Sequence, residues 1–263
     1  MRVTVRHAFG PKQSSVRCAE VMDCFGIGFE QGAHVIAEGL ELPIEPGDVV
    51  LFSGASGSGK SSLMRGVVDA LRNERIEGDR APLIVDISAL ELGERTLIDS
   101  FAAPVAEAMH LLSSCGLGEA HLMLRTPGEL SDGQRYRFRL ALGLAQRPDW
   151  IVADEFTATL DRTLAQVVAF NVRRLADRTG VGFLLATTHE DVAADLSPDV
   201  RVQCRLDGEI GVERSGANHA GSKQDSRKKK DACHSARSCG SVRRPSATGR
   251  ISLGGITAAT TSG

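Results

Sequence analysis

Aromatic residues are scarce in this chain: one Trp, one Tyr and nine Phe amount to 4% of 263 residues. A core must therefore be aliphatic, and the 42% hydrophobic content is enough to build one. Base stacking on interleaved aromatics, as single-stranded nucleic-acid binders use, has little to draw on. No apolar run approaches the roughly 18–20 residues that cross a bilayer as a helix, so no membrane insertion of this chain is expected. The opening Met1-Arg2-Val3-Thr4-Val5-Arg6-His7 lacks the apolar stretch of a secretory signal, and a cytoplasmic location is the expectation. The six cysteines, at positions 18, 24, 115, 204, 233 and 239, form no C-x-x-C pair. That excludes the usual zinc and redox spacings, and Cys233-His234 with Cys239 does not restore one. Reduced, unpaired thiols are expected.

Acidic charge prevails only slightly, at −2, and that balance conceals a split. Residues 213–263 carry ten Lys/Arg against three Asp/Glu, leaving 21 against 30 over the rest. The segment is rich in Ser, Gly and Thr and contains the cluster Arg227-Lys228-Lys229-Lys230. It reads as a basic, disordered tail, with contact to nucleic acid or anionic lipid as the sharper alternative. Residues 1–212 read as one domain of ordinary size.

Along that domain the first fifty residues read as strands and turns, with 16–22 and 33–44 as aliphatic stretches and Pro46-Gly47-Asp48 as a tight turn. Residues 49–52 are a continuous apolar strand running into a glycine-rich loop, and 60–72 have helical spacing. A short strand at 83–85 precedes helical patterns over 97–115, 119–124 and 133–144. Strand 150–153, helix 161–178 and strand 182–187 follow. Asp207-Gly208 then marks a hairpin between 200–206 and 209–212. Alternation of strands and helices predicts an α/β fold with a mainly parallel sheet.

The glycine-rich loop is Gly54-Ala55-Ser56-Gly57-Ser58-Gly59-Lys60-Ser61-Ser62, a complete G-x-x-x-x-G-K-[ST] pattern. Such a loop binds phosphate because successive backbone N–H groups converge at a helix N-terminus. Gly54, Gly57 and Gly59 allow the close approach, Ser56, Ser58 and Ser62 lie within the cradle, Lys60 reaches the phosphates and Ser61 offers a hydroxyl to Mg²⁺. Downstream, Trp150-Ile151-Val152-Ala153-Asp154-Glu155 sets two carboxylates at the end of a buried strand, the edge where ligands bind in open α/β sheets. A pair of acids at a strand end means little alone. With the loop upstream, Asp154 is a candidate Mg²⁺ ligand and Glu155 a candidate general base.

These segments, with Leu130-Ser131-Asp132-Gly133-Gln134 and Thr187-Thr188-His189 in the order found here, resemble the ABC-type ATPases over residues 49–190. The resemblance implies a P-loop NTPase of the ABC type, with an N-terminal antiparallel β region and a reduced helical subdomain at about 97–145. It implies ATP and Mg²⁺ as cofactors, and a homodimer formed on ATP binding. Ser131, Gly133 and Gln134 match the signature that caps the γ-phosphate held by the opposite subunit. Asp161 matches the loop linking the two sites, His189 the γ-phosphate switch, and Phe25 or Phe29 the adenine-stacking residue. By this likeness Lys60, Glu155 and His189 are the catalytic candidates.

Three departures stand out. Asp132 replaces a glycine of the commoner signature, and Phe156 stands where many transporter ATPases have proline. No glutamine occurs between Ser61 and Leu130, where those proteins carry one; Asp86 is the nearest positional substitute. Ser131 follows Lys60 by only 71 positions. The narrower resemblance is to soluble ABC ATPases linked to a predicted acetyltransferase domain. It implies an acetyltransferase-type protein as partner; a membrane permease is the alternative. Arg135, Arg137 and Arg139 are read as a charged helix face, with nucleic-acid contact as the rival reading.

Overall fold

The computed structural model describes residues 1–215, apart from 11, 30–31, 77–78, 159 and 190. Eight strands and seven helices are described in the order β1 (Arg2–Ala8), α1 (Val16–Phe25), β2 (Ala33–Glu41), β3 (Val49–Ser53), α2 (Lys60–Asn73) and β4 (Ile84–Asp86). Then come α3 (Val105–Ser114), α4 (Ala120–Met123), α5 (Asp132–Ala145), β5 (Trp150–Ala153), α6 (Arg162–Thr179), β6 (Gly182–Thr187), α7 (Val192–Leu196), β7 (Val200–Cys204) and β8 (Ile210–Arg214). The main sheet has six strands in the order β4-β5-β6-β3-β7-β8; only the β7–β8 pair is antiparallel. β1 and β2 form a separate antiparallel pair.

Strands β3, β5 and β6 are buried along their whole length, which is why they read as unbroken apolar runs rather than alternating ones. Their side chains still alternate between faces. Val49 and Leu51 join Ile151, Phe183 and the helices α3, α5 and α6 in one core. Val50 and Phe52 join Leu63, Val67 and the β1–β2 pair in the other. Arg173 of α6 is only 6% exposed and pairs with Asp177 and, at 2.9 Å, with Asp199. Asp199 also accepts the Val49 N–H at 2.8 Å, so one buried network ties α6 to the start of β3.

Three expectations need correcting, and one element went unread. Residues 16–22, read as extended, belong to α1, capped by Ser15 accepting the Cys18 N–H and by the left-handed Gly26. None of its side chains is buried, so aliphatic content gave no clue to its period. The helix expected over 97–115 is broken: Leu97 is buried, Ile98–Ser100 make one 3₁₀ turn, and α3 begins only after Pro104. Proline has no N–H to continue a helix and forces its predecessor out of helical geometry. The short α7 escaped notice because five residues carry too little periodicity. Finally, β8 runs to Arg214, past the boundary read at 212. Arg214 pairs there with the buried Asp48 at 2.9 Å. The rest of the basic segment, with Cys233, His234 and Cys239, lies outside the described residues.

Candidate functional site

β3 delivers the chain into the glycine loop at the carboxyl edge of the sheet. Gly54 has φ 143°, and a Cβ there would lie 2.1 Å from the Cys204 carbonyl oxygen of the neighbouring β7, so only glycine fits. Gly59, at φ 86°, heads α2 in a left-handed conformation. Lys60, the first residue of α2, folds back over the loop and donates to the Ala55 carbonyl at 2.5 Å. It is 8% exposed, and among the described residues no carboxylate pairs with it. A buried ammonium without a counter-charge is costly, which makes the loop a place for an anion.

Across the loop stands the end of β5. The Ser61 hydroxyl donates to Asp154 Oδ1 at 2.8 Å, joining residues 93 positions apart. Asp154 Oδ1 also accepts the Glu155 N–H at 3.1 Å. A hydroxyl and a carboxylate side by side are hard oxygen donors of the kind Mg²⁺ takes. Among the described residues no group of three or more His, Cys, Asp or Glu is placed to hold a metal ion. A cleft of about 420 Å³ opens between the two segments. Ser56, Gly57, Gly59, Lys60, Ser61 and Ser62 line one side. Asp154 and Glu155 line the other. Its size suits a small-molecule ligand.

The cleft has further walls that the sequence reading passed over. Thr187, Thr188 and Ala158 line it too. Thr187 was findable in principle: β6 runs parallel to β3 with Ser53 opposite Thr187, so both strands end at the same edge. His189 is exposed and not among the lining residues; its backbone N–H donates to Thr187 Oγ1 at 3.0 Å. Gly54 and Ser58 are not among the lining residues, and the Ser58 hydroxyl is buried with no hydrogen-bond partner among the described residues.

The signature residues are elsewhere. Ser131 caps α5 in a reciprocal box: its hydroxyl accepts the Gln134 N–H at 3.3 Å, and Gln134 Oε1 accepts the Ser131 N–H at 3.1 Å. Gly133 is buried against α6, where a Cβ would come within 2.1 Å of Leu164 Cδ2. Asp161 caps α6 by accepting the Leu164 N–H at 3.0 Å. None of these residues lines the cleft.

The departures acquire physical reasons. The Asp132 carboxylate is 72% exposed and paired with Arg135 at 3.2 Å, so its charge is compensated locally. Phe156 is fully buried and packs its ring 6.1 Å from that of Tyr136. Asp86 accepts the Ser88 N–H at 2.8 Å in a local turn and is not part of the cleft. Arg135 also donates to the Leu130 carbonyl at 3.1 Å, and Arg137 to the Gly116 carbonyl at 2.8 Å. These two guanidinium groups tie α5 to the backbone of neighbouring loops. Of the aromatic candidates, Phe25 is 74% exposed, while half-buried Phe29 has the Lys12 ammonium 5.9 Å from its ring centre.

Comparison with known proteins bears on the whole arrangement. The family model described as ABC transporter matches residues 37–158. The chain is 30% identical to the lipoprotein-releasing system ATP-binding protein LolD of Pseudomonas syringae pv. tomato, over 70% of this chain and 95% of that protein. It is 32% identical to the macrolide export ATP-binding/permease protein MacB of Neisseria gonorrhoeae, over 75% of this chain but 34% of that protein. Among solved structures, the fold matches a dimeric ATP-binding cassette in a post-hydrolysis state with ADP and Pi (TM-score 0.56, 19% identity, 81% of this chain and 98% of that one). It also matches a nucleotide-free cassette from an ABC transporter (TM-score 0.54, 20% identity, 87% and 96%). The likeness to soluble, acetyltransferase-linked ATPases finds no support in these relatives, which carry the names of transport proteins. With the phosphate loop, the acidic strand end and the signature all on one such fold, the chain belongs to the ABC transporter family of ATP-binding proteins and is an ABC-type ATPase.

Proposed function

We propose that this chain is the ATP-hydrolysing subunit that energises a membrane-embedded permease, and that two copies meet head to tail around two ATP molecules. The observation that carries the reading is the meeting, in one cleft, of a buried Lys60 that no carboxylate pairs among the described residues with the Ser61–Asp154 contact and the adjacent Glu155. The glycine-loop N–H groups and Lys60 bind the β- and γ-phosphates. Ser61 and Asp154 would hold Mg²⁺, which when bound neutralises charge on the phosphate oxygens. Glu155 takes a proton from the attacking water as general base, while His189 approaches the γ-phosphate from the end of β6. Ser131, Gly133 and Gln134 complete the site of the opposite copy, and Asp161 lies at the junction between the two.

The transport role is supported by the names of the relatives. In the described residues no helix is long and apolar enough to cross a membrane. Capture of the full-length Glu155→Gln chain from detergent-solubilised membranes with Mg·ATP tests the reading. An integral membrane protein retained in stoichiometric amount is the expected result. A purely water-soluble complex, or wild-type phosphate release by the variant, overturns it.

A further inference from the structure

The stretch between the two acids that follow β5 and the cap of α6 is held in an unusual backbone. Glu155 (φ 54°) and Thr157 (φ 64°) are both left-handed, although neither is glycine and Thr157 is β-branched. Two such residues around one position persist only where the surroundings over-determine them. Phe156, between them, supplies that constraint. It is 0% exposed, its N–H donates to the Ala186 carbonyl at 2.6 Å, and its ring meets Tyr136 at an interplanar angle of 60°. The turn is closed by Ala158 N–H to Glu155 O and Leu160 N–H to Thr157 O, both 3.0 Å.

Tyr136 belongs to α5, the helix whose first turn carries Ser131, Gly133 and Gln134. The same helix meets the far end of the stretch, because Gly133 packs against Leu164 at the start of α6, where a Cβ would lie 2.1 Å from Leu164 Cδ2, and a Cβ there would be in ordinary contact with Leu160 at 3.7 Å. The acidic strand end and the signature are therefore mechanically continuous within one chain, through an aromatic contact at one end and a glycine contact at the other.

We infer that Phe156 is the positioning residue for Glu155: clamped by Tyr136, it fixes the backbone that aims the Glu155 carboxylate into the cleft and couples that aim to the position of α5. The inference rests on the reading of Glu155 as general base. Engagement of the signature by nucleotide on another copy then acts on α5, and through Tyr136 and Phe156 on Glu155. Neither ring touches the phosphate cleft, so nucleotide binding is untouched while turnover depends on the clamp.

The test uses the full chain and the variants Phe156→Leu, Tyr136→Leu, Tyr136→Phe and the Phe156→Leu/Tyr136→Leu pair. Steady-state phosphate release is normalised to nucleotide bound per chain, so that loss of folded protein does not count. Each leucine variant should lower kcat about tenfold with KM for ATP within about twofold, and the pair should be no slower than either alone. Tyr136→Phe, which keeps the ring, should retain kcat within about twofold. Unchanged kcat in Phe156→Leu, additive losses in the pair, or parallel changes in KM overturn the clamp. Glu155→Gln is measured alongside. If it hydrolyses ATP at the wild-type rate, the general-base reading fails and the clamp with it; if it is inactive while Phe156→Leu is normal, only the clamp fails.

Discussion

Lys60, Ser61, Asp154 and Glu155 meet in one cleft of one chain, whereas Ser131, Gly133, Gln134 and Asp161 lie outside it, with their polar side chains turned onto their own backbone. The first group is assembled by the sheet. Parallel registry between β3, β6 and β5 brings the ends of distant strands to one edge, and the Ser61–Asp154 hydrogen bond spans 93 positions. The second group is assembled by helix caps, local devices worth about 1 kcal/mol each that fix a backbone without needing a ligand. One half of the candidate site is thus pre-organised for phosphate. The other is fixed by local caps outside the cleft, and in the proposed dimer it would face the nucleotide of the second copy.

The largest expected effect falls in the first half. Glu155→Gln should lower phosphate release about 10²–10⁴-fold while nucleotide affinity, followed with a fluorescent ATP analogue, stays within a few-fold. Loss of binding together with turnover would dissolve the distinction between cradle and base. In the second half, Ser131→Arg should cost about 10²-fold in turnover and leave nucleotide binding to the single chain intact. Equal loss of binding would place Ser131 in its own cleft and break the comparison.

Gly133→Val separates display from folding. Its Cβ has no room beside Leu164, and overpacking of this kind costs about 1–3 kcal/mol, to be read as a lower midpoint in urea. A variant as stable as wild type would mean that α5 and α6 are not locked together. The smallest effect is in thiol labelling. Burial pushes the Cys115 thiol up to about 12, whereas the Ser15 hydroxyl, donating to Cys18, lowers that thiol. At pH 8 an alkylating agent should therefore modify Cys18 well before Cys115. Cys115 lies beneath α5, near Arg137, so its labelling rate should rise in Gly133→Val if the display half loosens first.

Legibility in the sequence follows the same division. The phosphate loop, β3, β5 and β6 were readable because each is one continuous segment whose composition states its environment. The Ser131–Gln134 cap is equally local, but in the sequence those residues are only a signature match, and their capping role comes from the structure. What escaped has no such local signal. α1 buries nothing, so its aliphatic residues carried no usable period. Thr187 and Thr188 enter the cleft only through strand registry. The packing of Phe156 on Tyr136 joins positions 20 apart, one in the turn after β5 and one in α5, and sequence could say only that the expected proline was missing.

The central claim is that the two halves meet between chains, and sedimentation of Glu155→Gln with and without Mg·ATP tests it most directly. The expected result is a monomer that becomes a dimer only with Mg·ATP, with the dimer abolished by adding Ser131→Arg. A monomer under both conditions, or a dimer that forms without nucleotide and survives Ser131→Arg, would contradict the account.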